Sequence, residues 1–271
     1  METLEGRVAV VTGGASGIGR GTALALAGQG VRLVLGDLNE AGLKETADLV
    51  AARGGLAVTR IGDVASDETA PALLAAALEA FGRADIVMNN VGVIAVGAPE
   101  NIPTEAWADI LDINFLSMVR SNHVFLPHFI AQGQGHIVNT ASFAALFPYA
   151  SNRIPYMASK AAVIALSEGL ALYAKPKGVG VTLLLPGPVR TAITRSVRRY
   201  GDAPLSFRGP GATFSPKEPE EVGEMVVAAI RENRFFLPTD PQIYAILEAR
   251  AKDPEGFMAA QIAAVSADQP K

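Results

Sequence analysis

Arg7-Val8-Ala9-Val10-Val11-Thr12 runs straight into Gly13-Gly14-Ala15-Ser16-Gly17-Ile18-Gly19, and the reading of this junction decides the fold. The first six residues form a β-branched run that stops at glycine, as expected of a strand buried on both faces. Arg20 to Gln29 reads as a helix ended by Gly30, and Val31 to Asp37 as a second strand. Strand, glycine-rich turn, helix, strand, and an acid about 20 residues past the turn make up a dinucleotide-binding unit. The spacing here is G-x-x-x-G-x-G (Gly13, Gly17, Gly19) rather than G-x-G-x-x-G. The physical demand is unchanged: small residues let the backbone approach a pyrophosphate, and the helix N-terminus faces its negative charge. For the glycines alone, an ordinary strand–helix corner is the alternative. Asp37 ends the second strand, where a carboxylate can accept both ribose hydroxyls of NAD and repels a 2′-phosphate. Leu38 follows where an arginine would favour NADP, and Arg20 and Arg32 lie outside that turn. The predicted cofactor is NAD, with NADP the lesser alternative.

The alternation continues. Asn39 to Ala52 is an amphipathic helix, Leu56 to Ile61 a third strand, and Gly62-Asp63-Val64 ends it at the sheet edge that carries the glycine turn. Asp63 there suits contact with an adenine edge or, alternatively, a helix cap. Ser66 to Phe81 reads as a helix, Asp85 to Met88 as the fourth strand, closed by Asn89-Asn90-Val91-Gly92, and Pro99 to Ala131 as a long helical region broken at Pro127. Within it Asn114 sits among apolar residues, so its amide needs partners and is expected to bridge a kinked helix or to hold a water. Gly135 to Thr140 is a fifth strand ending at Ser142, Val179 to Leu185 a sixth ending in Pro186-Gly187-Pro188-Val189-Arg190-Thr191, and Phe235 to Leu237 a seventh. Pro219 to Arg231 reads as a helix, and Pro241 to Arg250 and Pro254 to Val265 as terminal helices. The expected architecture is α/β: one doubly wound, parallel, seven-stranded Rossmann sheet with helices on both faces, in a single domain over 1–271. Residues 190–216 carry five arginines with glycine and proline and read as a substrate lid, the arginines suiting a solvated lid helix or a grip on an anionic substrate, and 241–271 as a C-terminal extension.

Composition narrows the function. A net charge of −4 points away from nucleic acid. The absence of cysteine removes disulfides and thiolate chemistry. Neither a secretory signal nor an uncharged apolar run near the roughly 20 residues of a membrane span is evident, so a cytoplasmic protein is expected. His123, His128 and His136 are the three histidines, with no acidic ligand set beside them, so no metal site is expected. No G-x-S-x-G elbow accompanies Ser142, which argues against a hydrolase.

Tyr156-Met157-Ala158-Ser159-Lys160 places a phenol and an ammonium one helical turn apart on one face. A neighbouring cation favours phenolate, so the pair can move a proton to or from an alcohol oxygen. Alone, the pair also fits an ordinary solvated helix face. With Thr12-Gly13-x-x-x-Gly17-x-Gly19, Asp63, Asn89-Asn90-Val91-Gly92, Asn114, Ser142 and Pro186-Gly187-x-Val189-x-Thr191 in the same order, residues 5 to 240 resemble the short-chain dehydrogenase/reductase family.

The resemblance implies a catalytic tetrad of Asn114, Ser142, Tyr156 and Lys160, a nicotinamide cofactor and a homo-oligomer, either dimer or tetramer. Tyr156 is then the general base or acid, Ser142 a donor to the same oxygen, Lys160 the group that lowers the tyrosine pKa and holds the ribose, and Asn114 the anchor of a water. Expected cofactor contacts are Gly13, Ser16, Gly17, Ile18, Gly19, Asp37, Leu38, Asp63, Val64, Asn90, Val91, Gly92, Tyr156, Lys160, Pro186, Gly187, Val189 and Thr191. Three features depart from the family pattern: Val91 in place of the usual alanine, a Ser142–Tyr156 separation about one residue longer than usual, and residues 241–271. Phe143, Leu146, Phe147 and Tyr149 in the intervening loop suit either a substrate wall or simple packing. The expected substrate is a small molecule, a bulky and mostly apolar or aromatic secondary alcohol or ketone. Alternatives are a 3-oxoacyl-thioester of acyl carrier protein or CoA, gripped by Arg190, Arg195, Arg198, Arg199 and Arg208, and a non-catalytic nicotinamide-binding sensor or scaffold.

Overall fold

The computed structural model describes residues 1, 3–191, 193, 197–201, 209–211 and 214–267. Among the described residues nine strands appear in chain order: β1 (Val8–Thr12), β2 (Arg32–Asp37), β3 (Ala57–Ile61), β4 (Ile86–Asn89), β5 (Ile94–Gly97), β6 (Gly135–Thr140), β7 (Val179–Leu185), β8 (Val197–Tyr200) and β9 (Phe236–Pro238). The helices are α1 (Gly17–Ala27), α2 (Glu40–Ala52), α3 (Thr69–Phe81), α4 (Thr104–Leu111), α5 (Ser117–Gln132), α6 (Ile154–Ala174), α7 (Pro219–Arg231), α8 (Ile243–Lys252) and α9 (Pro254–Ala267). Seven strands form one parallel sheet in the order β3-β2-β1-β4-β6-β7-β9. The order turns back at β1 and β4, so the crevice between their C-terminal ends is the natural place for a ligand in such a sheet.

Alternation along the strands explains the two layers. Ala9 and Val11 of β1 face a core with Leu33, Leu35, Leu24 and Leu26 of β2 and α1 and Val226 and Ile230 of α7. Val8 and Val10 face the opposite core with Leu73 of α3, Phe125 and Phe129 of α5, and Leu170 of α6. Helices α1 and α7 cross closely because both carry glycine at the crossing: a Cβ on Gly21 would stand 2.2 Å from the Pro219 carbonyl oxygen, and one on Gly223 2.4 Å from that of Gly21. Residues 154–177 are long and apolar enough to cross a membrane. In the fold this helix buries Tyr156, Ser159, Lys160 and Ser167, a polar line against the sheet that lipid would not solvate.

Two expectations change. The long helical region is not broken at Pro127, which lies inside α5. The interruption is a π turn at Asp112–Leu116 between α4 and α5. A π turn carries one residue more than the α ladder accommodates and frequently marks a functional site. The second change is a small parallel sheet of β5 and β8, in which Ile94–Gly97 pairs with Val197–Tyr200. Part of the expected lid is therefore a strand, while Arg195 and Arg208 lie outside the described residues.

The N-terminal ends of β1 and β4 are fastened by Asp85, which is fully buried. Its carboxylate accepts from Arg7 at 3.0 Å, from the Val8 amide at 3.0 Å and from Arg83 at 2.6 and 2.7 Å. Burial pushes its pKa up, but Arg83, the Val8 N–H and Arg7 outweigh burial and hold it below the usual carboxylate range. Asp85→Ala should lower unfolding stability by about 2–3 kcal/mol, read from urea melts. The folded-state pKa is depressed, so this contribution is full above the unfolded carboxyl value near 3.9 and is lost as pH falls through the folded one. The variant's deficit should accordingly shrink below about pH 4.

Candidate active site

The cofactor side starts at Thr12. Its hydroxyl donates to the Met88 carbonyl at 3.1 Å and accepts from the Asn90 amide at 3.0 Å, locking the turns after β1 and β4 together. Gly13, Gly17 and Gly19 are sterically required. Gly13 and Gly17 have φ of 68° and 53°, and a Cβ on Gly19 would meet the Gly13 carbonyl oxygen at 2.1 Å. Ser16 makes no side-chain cap on α1, and the first turn has no acid, so the helix N-terminus stays open toward an anion. Thr191 closes over the turn, its side chain 3.1 Å from where a Cβ of Gly17 would sit.

Asp37 lies across from this turn, accepting from the Ala15 amide at 3.2 Å and the Asn39 amide at 2.9 Å. Leu38 beside it is exposed. Arg20 is already committed, donating to the Ala15 carbonyl at 2.6 Å, Thr46 at 2.9 Å and Glu45 at 2.6 Å. Asp63 turns back on its own chain: its carboxylate accepts from Ala65 at 2.9 Å, and its carbonyl from Thr69 at 2.5 Å. It thus leads into α3, which begins at Thr69 rather than Ser66. Val64, Asn90 and Val91 line a small cavity with Thr12, Thr69 and Ser117, next to the glycine turn. Ile18 packs on the core beneath the turn, and Val189 does the same while bridging to Lys217. The Gly187 amide donates to Thr239 at 2.9 Å, and Pro186 accepts from Phe143 at 2.9 Å. The turn after β7 thus runs between the glycine turn and the start of the Ser142 loop. The open helix N-terminus, the side-chain-free glycine floor and the carboxylate at the end of β2 fit a dinucleotide.

The second half is built on α6. Ser142 caps the short 3₁₀ turn after β6, accepting from Ala144 at 3.1 Å, and its hydroxyl draws the pKa of the Tyr156 phenol down. Lys160 is buried, donates to the Thr140 carbonyl at 2.8 Å and stands 6.0 Å from the Tyr156 ring centre. Gly92 gives it room, since a Cβ there would lie 3.2 Å from its Nζ and 3.6 Å from Asn114 Oδ1. Asn114 sits in the π turn, accepts from the Val93 amide at 2.8 Å and donates to the Val93 carbonyl and to Ser159 Oγ, both at 3.0 Å. Ser159 in turn donates to the Tyr156 carbonyl at 2.8 Å. The π turn is therefore what aims Asn114 at the loop after β4, and Ser159 ties it to α6. Of the two expected uses of Asn114, the direct bridge is present.

All four expected tetrad residues come together, but the electrostatics differ from expectation. Burial raises the Tyr156 pKa, and Ser142 and then Arg153 pull it back. Burial also lowers Lys160, to about 8. Lys160 spends its proton on Thr140, so within the protein itself the nearby influence on Tyr156 comes from Ser142 and Arg153. Arg153 and Ser159 were not singled out in the sequence. Ser159 lay inside the Tyr156–Lys160 spacing, and Arg153 carried only the signal of a lone cation in an otherwise apolar loop.

The loop between Ser142 and Tyr156 is largely buried, with Ser151 exposed. Phe143, Leu146, Phe147 and Tyr149 are buried with Tyr156, Ile94, Val96, Phe214 and Ile243 in one apolar cluster. Ile246, Leu247 and Phe257 of α8 and α9 pack against it, and Arg250 donates to the Leu146 carbonyl. The C-terminal extension thus backs the wall of the site. Arg190 pairs with Glu218 at 2.9 Å and Arg198 with Asp109 at 3.0 Å, so these two arginines of the expected lid already have partners.

The chain belongs to the short chain dehydrogenase family, whose pattern matches residues 7–201, and it is an oxidoreductase of that class. It is 32% identical to cyclohexanol dehydrogenase of Acinetobacter sp. strain SE19 over 232 residues, 85% of this chain and 90% of that one. It is 36% identical to 2,5-dichloro-2,5-cyclohexadiene-1,4-diol dehydrogenase LinX of Sphingobium indicum over 194 residues, 72% of this chain and 77% of the relative. Among solved structures, a short chain dehydrogenase/reductase from Burkholderia phymatum in complex with NAD superposes with a TM-score of 0.84 at 34% identity, covering 94% of this chain and 96% of that one.

Proposed function

We propose that this protein transfers a hydride between NAD(H) and a bulky, mostly apolar secondary alcohol or ketone, with Tyr156 as proton carrier. The supporting observation is the convergence of Ser142, Tyr156 and Lys160 at an apolar wall, on the far side of a turn shaped for a dinucleotide. NAD, when bound, supplies the hydride acceptor. Tyr156 takes the hydroxyl proton of the alcohol, Ser142 donates to the same oxygen as charge develops, and Lys160 holds the nicotinamide ribose. Asn114 and Ser159 keep the π turn and α6 in register, and the apolar cluster excludes water. The two relatives named for cyclic alcohols make ring-bearing substrates the first to test.

Asp37 with exposed Leu38, and with Arg20 already engaged, supports NAD over NADP. Asp37→Ala should cut the NAD preference at least about tenfold, the effect of one lost charge-assisted hydrogen-bond partner. Titration of nicotinamide fluorescence with each reduced cofactor measures it, and an unchanged ratio removes Asp37 from this role.

Oxidation should accelerate as pH rises, because the phenolate is the reactive form of Tyr156. A rate profile flat from about pH 6 to 10, with a carbon–deuterium isotope effect showing that chemistry limits the rate, contradicts that. The thioester reading is weakened by the pairing of Arg190 and Arg198. The sensor reading is tested by turnover itself. Exposed Leu172 and Tyr173 on α6 support a dimer or tetramer, to be read by light scattering.

A further inference from the structure

We infer that Arg120 is a positioning residue of this site, coupling the turn on the adenine side of the cofactor to the π turn that carries Asn114. The inference rests on the proposed binding of a dinucleotide and adds a route by which one half of that cofactor acts on the tetrad.

The geometry is one guanidinium between two carboxylates. Arg120 lies on α5, and its Nε donates to Asp67 at 2.6 Å and its Nη2 to Asp112 at 2.7 Å. Asp67 belongs to the turn between β3 and α3, and Asp112 is the first residue of the π turn. The arginine side chain is 24% exposed, and its Nη1 is buried without a hydrogen-bond partner among the described residues. Two charge-assisted bonds hold the guanidinium in place although this donor is unmet. An exposed ion pair alone contributes little. Here one cation also stands between two acids that repel each other without it.

Each arm ends on a part of the site. On the adenine side, the turn is bonded into a unit around Asp63. The Asp63 carbonyl accepts from the Ser66 amide at 2.9 Å and the Thr69 hydroxyl at 2.5 Å, and its carboxylate accepts from the Ala65 amide at 2.9 Å. The Ser66 hydroxyl accepts from the Glu68 amide at 3.3 Å. A ligand that engages Asp63 or Val64 therefore engages Asp67 with them. On the other side, Asp112 opens the turn that aims Asn114 at the Val93 backbone and, through Ser159, at the Tyr156 carbonyl. Ser117 donates to the Ile113 carbonyl at 2.6 Å where that turn passes into α5. Val64 and Thr69 of the one part and Ser117 of the other line the same small cavity, so the two parts are neighbours as well as bonded partners.

A π turn carries an extra residue, and ties from outside the helix are what keep it in place. Here Asn114 supplies the ties to Val93 and Ser159, and Asp112 the tie to Arg120. A ligand that orders the Asp63–Thr69 turn thus restrains Asp112 through the arginine, and Asn114 with it. The coupling is reciprocal, as any coupling between binding equilibria must be.

The test uses adenosine monophosphate, the adenine half of the cofactor without its nicotinamide, at a saturating concentration set by competition with NADH fluorescence. The readout is hydrogen exchange of the Val93 amide, the donor to Asn114 Oδ1, resolved by mass spectrometry with fragmentation. Adenosine monophosphate should slow this exchange about threefold in the wild type. Arg120→Met should abolish the slowing. Asp67→Asn should abolish it too, by changing a side chain that is 90% exposed. If Arg120→Met does not fold, Asp67→Asn carries the test. Slowing that survives Asp67→Asn overturns the inference, since the ligand then reaches Val93 without the bridge. So does a wild type whose Val93 exchange ignores adenosine monophosphate. A merely structural arginine would raise exchange with and without ligand alike and leave their ratio unchanged, which also overturns it. A wild type that binds no NADH refutes the cofactor reading and the inference with it, whereas one that binds NADH but shows no ligand effect at Val93 refutes the inference alone.

Discussion

Tyr156→Phe should lower turnover by roughly 10³-fold, at the upper part of the range for loss of a positioned acid–base group, while cofactor affinity stays within about twofold. The change removes one oxygen. The ring remains in the apolar cluster with Phe143, Phe147 and Tyr149, so the wall of the site keeps its shape. The Ser142 hydroxyl keeps its bond from the Ala144 amide. The Asn114–Ser159 tie runs to the backbone carbonyl of residue 156 and not to the phenol, so it too survives. The expected result is therefore a loss in kcat with the melting temperature almost unchanged. Stopped-flow measurement of hydride transfer, alongside fluorescence titration of NADH, checks both halves. Activity within about tenfold of wild type would remove Tyr156 from the proton step.

Gly19→Ala should weaken cofactor binding by roughly 100-fold or more, the scale of a forced backbone shift in a tight site. A Cβ at position 19 would lie 2.1 Å from the Gly13 carbonyl oxygen and 2.9 Å from Asn90 Nδ2. A carbonyl cannot rotate aside as a side chain can, so the turn between β1 and α1 has to move. Asn90 is held through its backbone by Thr12, so the disturbance passes to the end of β4 as well. Gly133 offers a control. It has positive φ, which Gly19 does not, but a Cβ there meets nothing within 4 Å, and it lies at the end of α5. Gly133→Ala should cost about 1 kcal/mol of stability and leave cofactor binding unchanged. Calorimetric titration with NADH distinguishes the two.

How much was legible follows from the same particulars. Strands β1, β2 and β7 are covered on both faces, so each appears as a predominantly apolar run. Tyr156 and Lys160 stood out because two polar groups on an otherwise apolar helix face require a reason. Strands β5 and β8 did not stand out: four residues are too short to show a period, and their pairing spans about a hundred residues of chain, which no local pattern records. Pro127 was the wrong place for the break because a π turn has no compositional signature, whereas proline has a strong one. Arg153 stayed hidden because the burial of a loop cation is a matter of tertiary packing, which no local pattern records. Residues 241–267 had no motif for the same reason: they carry no chemistry of their own but pack Ile243, Ile246, Leu247 and Phe257 against the wall behind Tyr156.

The most direct measurement of the central claim follows the label. The enzyme is mixed with NAD and a cyclic secondary alcohol bearing deuterium on the carbinol carbon, and reduced nicotinamide is read by absorbance and mass. The expected result is growth of the reduced-nicotinamide band, one deuterium on the nicotinamide ring, and loss of both with Tyr156→Phe. A folded, NAD-binding wild-type protein that transfers no deuterium from any secondary alcohol in a broad panel, and returns none to the matching ketones, would contradict it.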